Sequence, residues 1–260
     1  MPPFIDGDQG SILLVNIRSP TGTSSKGANM KIGIVGAGNI GSALTRLFRT
    51  AGHEVTIANS RGPESLAELS AETGARPASI EDAVHGQEVV VVAVPANRIP
   101  TLPRELFAST PADVVVIDTT NYYPRQRDGR LEGIEDGRPE SEWVERRLGR
   151  AVIKAFNTIE ATHLQPGARP AGAADRIALA VAGDDTRAKS KAMALIDGIG
   201  FDAVDAGAIA ESWRQQPGSP GYLKDFDVEG VRRALAEANP ERQPEWRATP
   251  NSPGTYESPA

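Results

Sequence analysis

The chain has 260 residues, 39% of them hydrophobic and 24% charged, with a formal net charge of −6. That length buries one sizeable core, and the mild acidity speaks against nucleic acid, because binding phosphate backbones needs a basic face. With no cysteine and three scattered histidines, the sequence excludes disulfides, thiolate nucleophiles and cysteine metal ligands, and no metal site is expected.

The first 29 residues carry Pro2, Pro3, Gly7, Gly10, Pro20, Gly22 and Ser24-Ser25, so they read as a disordered extension or a mis-called start, with Met30 as the native start. The short apolar patch at 11–17 follows Asp6 and Asp8 and makes a poor signal peptide. No run of about 18 apolar residues marks a membrane span. The expected location is cytoplasmic, with no membrane partner.

Strands and helices then alternate. Lys31–Val35 reads as the first strand, 39–51 as a helix ended by Gly52, and Glu54–Ala58 as the second strand. A helix over 63–73 stops at Gly74. The unbroken apolar runs at 88–94 and 113–118 suit central parallel strands covered on both faces. Strands follow at 151–155 and 176–182, then a helix at 184–198 and a last strand at 201–204. The stretch 121–139 is a long loop rich in Arg, Asp and Gly. Asp227 is placed to cap a helix over 228–238. This alternation predicts an α/β fold, a doubly wound parallel sheet with right-handed crossovers. The expected organisation is a Rossmann domain over 30–207, a C-terminal loop and helix over 208–239, and a disordered tail over 240–260, rich in Pro, Ser, Glu and Arg.

The most informative segment is Gly36-Ala-Gly-Asn-Ile-Gly41, which follows a strand and opens a helix. Gly36 permits the tight turn, Gly38 lets a pyrophosphate approach the backbone, and Gly41 lets helix and strand pack closely. The N–H groups around Ala37, Asn39 and Ile40 suit an anion at the helix start. Enzymes that use NAD usually end the second strand with an acid for the ribose hydroxyl. Here that end carries Asn59-Ser60-Arg61, and a guanidinium beside a hydroxyl suits a 2′-phosphate. NADP is therefore favoured over NAD. The plainer reading, that this turn only caps the next helix with Pro63 at its first position, is compatible with it.

Ligands of open parallel sheets sit at the carboxyl ends of the strands. That selects the loops at Gly36, Asn59, Val94, Thr119 and Asn157. Pro95 can press on the nicotinamide ribose and Arg98 can reach a phosphate, or Pro95 is a plain turn former. Asn121 and Asn157 are candidates for the carboxamide or ribose, or structural turn residues. His53 and His85 fall at the wrong end of the sheet, and His163 reads as a surface-helix residue. Lys154 lies inside a strand, where a lysine base is not expected. No nucleophile elbow and no tyrosine–lysine pair for carbonyl reduction is evident, so no catalytic acid or base is expected. Hydride transfer between cofactor rings needs positioning more than acid–base groups.

The glycine fingerprint, Asn59-Ser60-Arg61, Val94-Pro95, Lys154-Ala-Phe-Asn-Thr-Ile159, Gly183-Asp-Asp185 and Asp205-Ala-Gly207 together resemble the NADPH-dependent deazaflavin (coenzyme F-420) reductases. The same module looks like the cytosolic domain of the transmembrane metalloreductases. The resemblance runs from Lys31 to Gly207. It implies a Rossmann NAD(P)-binding fold in which Ala37 to Ile40 hold the pyrophosphate and Ser60 and Arg61 the 2′-phosphate. By the same resemblance Pro95, Arg98, Asn157, Thr158 and Ile159 surround the nicotinamide and a small-molecule acceptor. The implied cofactor is NADP(H), with a deazaflavin or flavin as co-substrate, and a homodimer is compatible with it. Beyond Gly207 the chain departs from the family: residues 213–221 are polar and glycine–proline-rich, where the deazaflavin reductases carry a longer apolar helical segment. Alternative readings are an imine or carbonyl reductase and a non-catalytic NADP(H)-binding, redox-sensing module.

Overall fold

Strand β1 (Lys31–Val35) is flanked by β2 (Glu54–Ala58) on one side and β4 (Val89–Val92) on the other, all parallel and in continuous register from Ile32 to Val35. The computed structural model describes residues 29–241 and 254–260. The expectation for the first 29 residues therefore lies almost entirely outside the described chain.

A six-stranded parallel sheet is built in the order β3-β2-β1-β4-β5-β6, where β3 is Arg76–Pro77, β5 Val115–Asp118 and β6 Ile153–Lys154. Helices cover both faces: α1 (Asn39–Thr50), α2 (Ala67–Thr73), α3 (Ile80–Val84) and α4 (Glu140–Leu148) follow the strands in turn. The unbroken valines of β4 have a simple cause. Successive strand residues point to opposite faces, so Val89 and Val91 share one core with Leu44 and Phe48 of α1 while Val90 and Val92 share a second with Trp143 and Val144 of α4. Both faces are dry, and each fully buried valine contributes about 1.5–3 kcal/mol.

The remaining strands depart from an all-parallel expectation. After α5 (Ala161–Gly167), β7 (Ala178–Val181) and β8 (Asp202–Asp205), linked by α6 (Thr186–Gly198), pair parallel with each other as a separate two-stranded sheet. That sheet joins the main one through an antiparallel bridge between Lys154 and Ala182. The crossover signal at 184–198 is a true βαβ unit, but nothing in its pattern reveals which edge it docks on.

Local differences have local causes. The 63–73 segment opens as a 3-10 turn over Pro63–Leu66 before α2 begins, and Gly74 closes α2 in the left-handed region at φ 71. The long loop at 121–139 holds a π turn over Pro124–Asp128. Helix α4 was not foreseen, although acids in its first turn, arginines in its last and Gly149 at its C-cap mark it. Asp227 does cap α7 (Val228–Glu237), accepting from the Gly230 N–H at 2.8 Å. The tail expected to be disordered is partly described: Gly254 accepts from Arg125 Nε at 3.0 Å, and the Ala260 N–H donates to the Arg125 carbonyl at 3.1 Å. Its composition hid that contact because it is made to backbone. Among the described residues no helix is long and apolar enough to cross a membrane.

The carboxyl ends of β5 and β6 are tied by a buried ion pair. Lys154 and Asp118 are both fully buried, with Nζ 3.3 Å from Oδ2. Lys154 also donates to the Thr120 carbonyl, and Asp118 accepts from Ser141 Oγ at 2.6 Å and from the Thr120 N–H at 2.9 Å. Removing one partner strands a buried charge, which typically costs about 3–5 kcal/mol, whereas apolar replacement of both is far milder. Lys154→Met should therefore lower unfolding free energy by about 3–5 kcal/mol, and Lys154→Met with Asp118→Leu should recover more than half of that loss. Denaturant titration measures both, and a single-variant loss below about 1 kcal/mol contradicts the buried pair.

Candidate functional site

The glycine turn between β1 and α1 is forced by close packing. Gly36 has φ 112, and a Cβ on it would lie 2.2 Å from the Ala93 carbonyl oxygen. A Cβ on Gly41 would lie 1.8 Å from the Gly36 carbonyl oxygen. Gly38, by contrast, has open space where its Cβ would be. It is the N-cap of α1, with no side-chain cap and no acid in the first turn. The helix start thus presents N–H groups and the positive end of its dipole to an open cradle, which is a ready anion site.

Two clefts meet at that cradle. One, of roughly 500 Å³, is lined by Gly36, Ala37, Gly38, Asn59, Ser60, Arg61, Val94, Pro95 and Arg98. The other, of roughly 760 Å³, is lined by Gly38, Asn39, Ile40, Val94, Pro95 and then by Thr119, Thr120, Tyr123, Phe156, Ile159, Tyr222 and Leu223. They share Gly38, Ala93, Val94 and Pro95, so together they form one groove along the carboxyl ends of the strands, with the helix start at its middle.

In the first cleft, Asn59 lines the wall and also shapes the turn. Its Oδ1 accepts the Arg61 N–H at 2.9 Å, and its Nδ2 donates to Ser65 Oγ at 2.9 Å. Ser60 and Arg61 are exposed beside it. Arg98 lines this same cleft and not the one beyond Pro95, in keeping with its expected reach to a phosphate and unlike the place beside the nicotinamide that the resemblance implied. Its N–H is held by the Pro95 carbonyl at 2.9 Å, so the turn after β4 delivers a second guanidinium next to Arg61. No acid is among the described residues that line this first cleft. Two cations and a hydroxyl fit a phosphate monoester better than a ribose diol.

In the second cleft, Asn157 is displaced from its expected role. It is buried, and Nδ2 donates to the Gln215 carbonyl at 2.6 Å and to Asn121 Oδ1 at 3.1 Å. Its Oδ1 accepts from Gln215 Nε2 at 2.9 Å, while Asn121 Nδ2 donates to the Asn157 carbonyl at 2.9 Å. Asn157 is scaffold and does not line the groove, whereas Asn121, though bonded to it, does line the groove. Thr158 is buried too, its carbonyl accepting the Leu223 N–H at 2.9 Å. Ile159 alone of the three reaches the groove. The neighbour that does face it is Phe156, held in the left-handed region at φ 61.

These bonds pin the segment 215–223 over the second cleft, where Tyr222 and Leu223 become lining residues. Tyr123 joins them from the loop after β5. Its hydroxyl hydrogen-bonds to that of Tyr222, and burial pushes the phenol up to about 12. Thr120 also lines the groove, with a buried hydroxyl that has no hydrogen-bond partner. The sequence pointed to the Thr119 loop through the strand-end rule, but nothing in it brought Tyr222 there.

The histidines stay away from the groove. His53 Nδ1 accepts the Met30 N–H at 3.2 Å, and burial lowers its pKa. His85 bonds Ser109, and His163 pairs with Asp225 at 2.8 Å. Among the described residues no cluster of three or more His, Asp or Glu side chains could hold a metal ion.

Residues 31–122 match the family model described as NADP oxidoreductase, coenzyme F420-dependent. The hypothetical protein SMa0349 from Sinorhizobium meliloti is 31% identical, with a TM-score of 0.65 over 76% of this chain and 95% of its own. The chain belongs to the coenzyme F420-dependent NADP oxidoreductase family. A protein assigned as an F420-dependent NADP-reductase from Arthrobacter sp. FB24 is 25% identical, with a TM-score of 0.58 over 71% of this chain and 87% of its own. The Escherichia coli (strain K12) protein YjhV is 48% identical over 66 residues, which are 25% of this chain, so the match spans about half (48%) of that relative. The family's NADP-dependent oxidoreduction accords with a dinucleotide groove that ends in arginines.

Asn157→Ala removes three side-chain hydrogen bonds from a buried position. It should cost about 1–3 kcal/mol of stability and leave 2′,5′-ADP affinity within about threefold. Thermal unfolding and calorimetry check this. Unchanged stability with collapsed hydride transfer would put Asn157 back at the nicotinamide.

Proposed function

We propose that the protein transfers hydride between NADP(H) and a small acceptor, for which the family description points to a deazaflavin or flavin ring. The carrying observation is the shape of the groove: one end holds Ser60, Arg61 and Arg98, the middle is the uncapped start of α1, and the far end is a separate chamber walled by Phe156, Ile159, Tyr222 and Leu223. When bound, NADPH supplies a hydride from its nicotinamide ring.

The chain's own residues do the rest. Ser60, Arg61 and Arg98 bind the 2′-phosphate with charge-assisted hydrogen bonds. The backbone from Ala37 to Ile40 binds the pyrophosphate. Val94 and Pro95 form the wall shared by the two clefts and orient the nicotinamide ribose. Phe156, Ile159 and Leu223 exclude water from the acceptor and hold it flat, since positioning within about 3–3.5 Å supplies most of the advantage in such a transfer. A second reading, reduction of a carbonyl or imine, is favoured by one observation, the paired hydroxyls of Tyr123 and Tyr222 in the chamber.

The test follows loss of the reduced nicotinamide absorbance with FMN, FAD, a deazaflavin, aldehydes and cyclic imines, in wild type and Arg61→Ala. Oxidation with at least one acceptor is expected, and Arg61→Ala should weaken NADPH by about 1.5–3 kcal/mol while changing NADH little. NADPH binding without turnover on any acceptor would support a binding or sensing module instead. Equal losses for both nucleotides would remove Arg61 from the 2′-phosphate site.

A further inference from the structure

Tyr123 and Tyr222 lie 99 positions apart, yet their hydroxyls meet on the wall of the acceptor chamber. Neither placement is accidental packing at a loose surface. The Tyr123 N–H donates to Asp128 Oδ2 at 2.7 Å, and the Arg127 guanidinium lies 5.2 Å above its ring. Tyr222 is followed by Leu223, which is held at φ 54 and anchored to the Thr158 carbonyl. The rings are tilted by 58°, with centroids 6.5 Å apart, so the pair meets through its hydroxyls rather than by stacking.

A hydroxyl pair in a half-buried chamber is a two-member proton relay. The charged and titratable groups acting on it are Arg127, Asp128 and Glu140 around Tyr123. Arg127 Nη2 pairs with Asp128 Oδ2 at 2.9 Å, and Glu140 accepts the Tyr122 N–H at 3.2 Å. Phenols ordinarily ionise near about 10, and burial pushes Tyr123 up to about 12. A weak acid of that kind gives up its proton usefully only to a strong base. The hydride adduct of a carbonyl or imine, an alkoxide or amide anion, is such a base. A reduced flavin or deazaflavin spreads its charge over the ring and needs no such donor.

We propose that Tyr222, backed by Tyr123, is the proton donor of the acceptor chamber, and that the chamber takes compounds with a polarised carbon–oxygen or carbon–nitrogen double bond. The proposal rests on the NADPH reading of the groove and narrows its acceptor. NADPH is the reductant and is oxidised to NADP⁺ as the acceptor carbon gains a hydride. The double-bond electron pair moves onto the heteroatom, the Tyr222 Oη–H bond breaks, and an O–H or N–H bond forms. Tyr123 Oη returns a proton to Tyr222, and water returns one to Tyr123. The balance is one NADPH and one solvent proton consumed for each two-electron reduction.

The experiment uses the full chain with Tyr222→Phe and Tyr123→Phe, which keep both rings. Aldehydes, cyclic ketones and cyclic imines are compared with FMN and a deazaflavin. NADPH dissociation constants for each variant report an intact fold. With a carbonyl or imine acceptor, Tyr222→Phe should lower kcat by roughly 100-fold or more, as expected for loss of a general acid. Its loss with FMN should be at least about tenfold smaller, because that adduct needs no strong donor. Without any nucleotide, a tyrosinate absorbance titration should show Tyr123 ionising at higher pH in Tyr222→Phe than in wild type, because the partner hydroxyl stabilises the phenolate. If flavin or deazaflavin oxidises NADPH but no carbonyl or imine does, or if Tyr222→Phe slows both acceptor classes equally, the proton-donor proposal is overturned while the hydride reading stands. If the titration ignores the Tyr222 substitution, the pair itself is absent. If NADPH does not bind at all, both readings fall.

Discussion

The tight meeting of α1 with β1 and β4 is the constraint on which the rest of the groove depends. A carbonyl oxygen of Ala93 stands where a Gly36 side chain would begin, and the Gly36 carbonyl stands where a Gly41 side chain would begin. Only a chain without Cβ at both positions lets the helix start so close to the carboxyl ends of the strands. That approach aims the uncapped N–H groups of α1 into the groove and sets Gly38 as the floor common to both clefts. The cation pair and the acceptor chamber lie on opposite sides of that floor.

Two fastenings then decide what stands at the acceptor end. The Lys154–Asp118 pair ties β5 to β6 and holds the Thr120 backbone at the groove. The reciprocal amide pair of Asn157 and Gln215 fixes the start of the covering segment, and the Thr158 carbonyl fixes Leu223 at its end. The Lys154–Asp118 and Asn157–Gln215 links are buried, so breaking either leaves polar groups without solvent and without partners. Lys154, Asp118 and Asn157 at the strand ends thus serve architecture, and the chamber is lined by hydroxyls and apolar groups together with Asn121, Gln126, Arg127 and Glu160.

What was legible in the sequence was whatever depends on neighbours along the chain. The strand–turn–helix at Gly36, the arginine at the end of β2 and the double-faced valines of β4 carry their meaning locally, and the structure places Arg61 and the helix start in one groove. The role of Asn157 was not legible. An asparagine at a strand end has the same local pattern whether it faces a ligand or a buried glutamine, and only the return of the chain at Gln215 chooses between them. For Arg98 the residues suggested a phosphate and the resemblance the nicotinamide, and the 3-10 turn over Ala96–Thr101 puts it in the cleft that Arg61 lines. The meeting of Tyr123 and Tyr222 was not legible either, because they share no local motif. The antiparallel join at Ala182 was hidden for the same reason, since sheet edges are chosen by tertiary packing.

The central claim is that this groove is shaped for a dinucleotide carrying a 2′-phosphate between Arg61 and Arg98. Calorimetric titration of the wild-type chain with NADP⁺ and NAD⁺, at several ionic strengths, tests it most directly. At least one charge-assisted phosphate contact predicts that NADP⁺ binds roughly tenfold or more tightly than NAD⁺. The gap should narrow as salt rises, because exposed guanidinium–phosphate contacts are screened. Equal affinities, or a preference that ignores salt, would contradict the account.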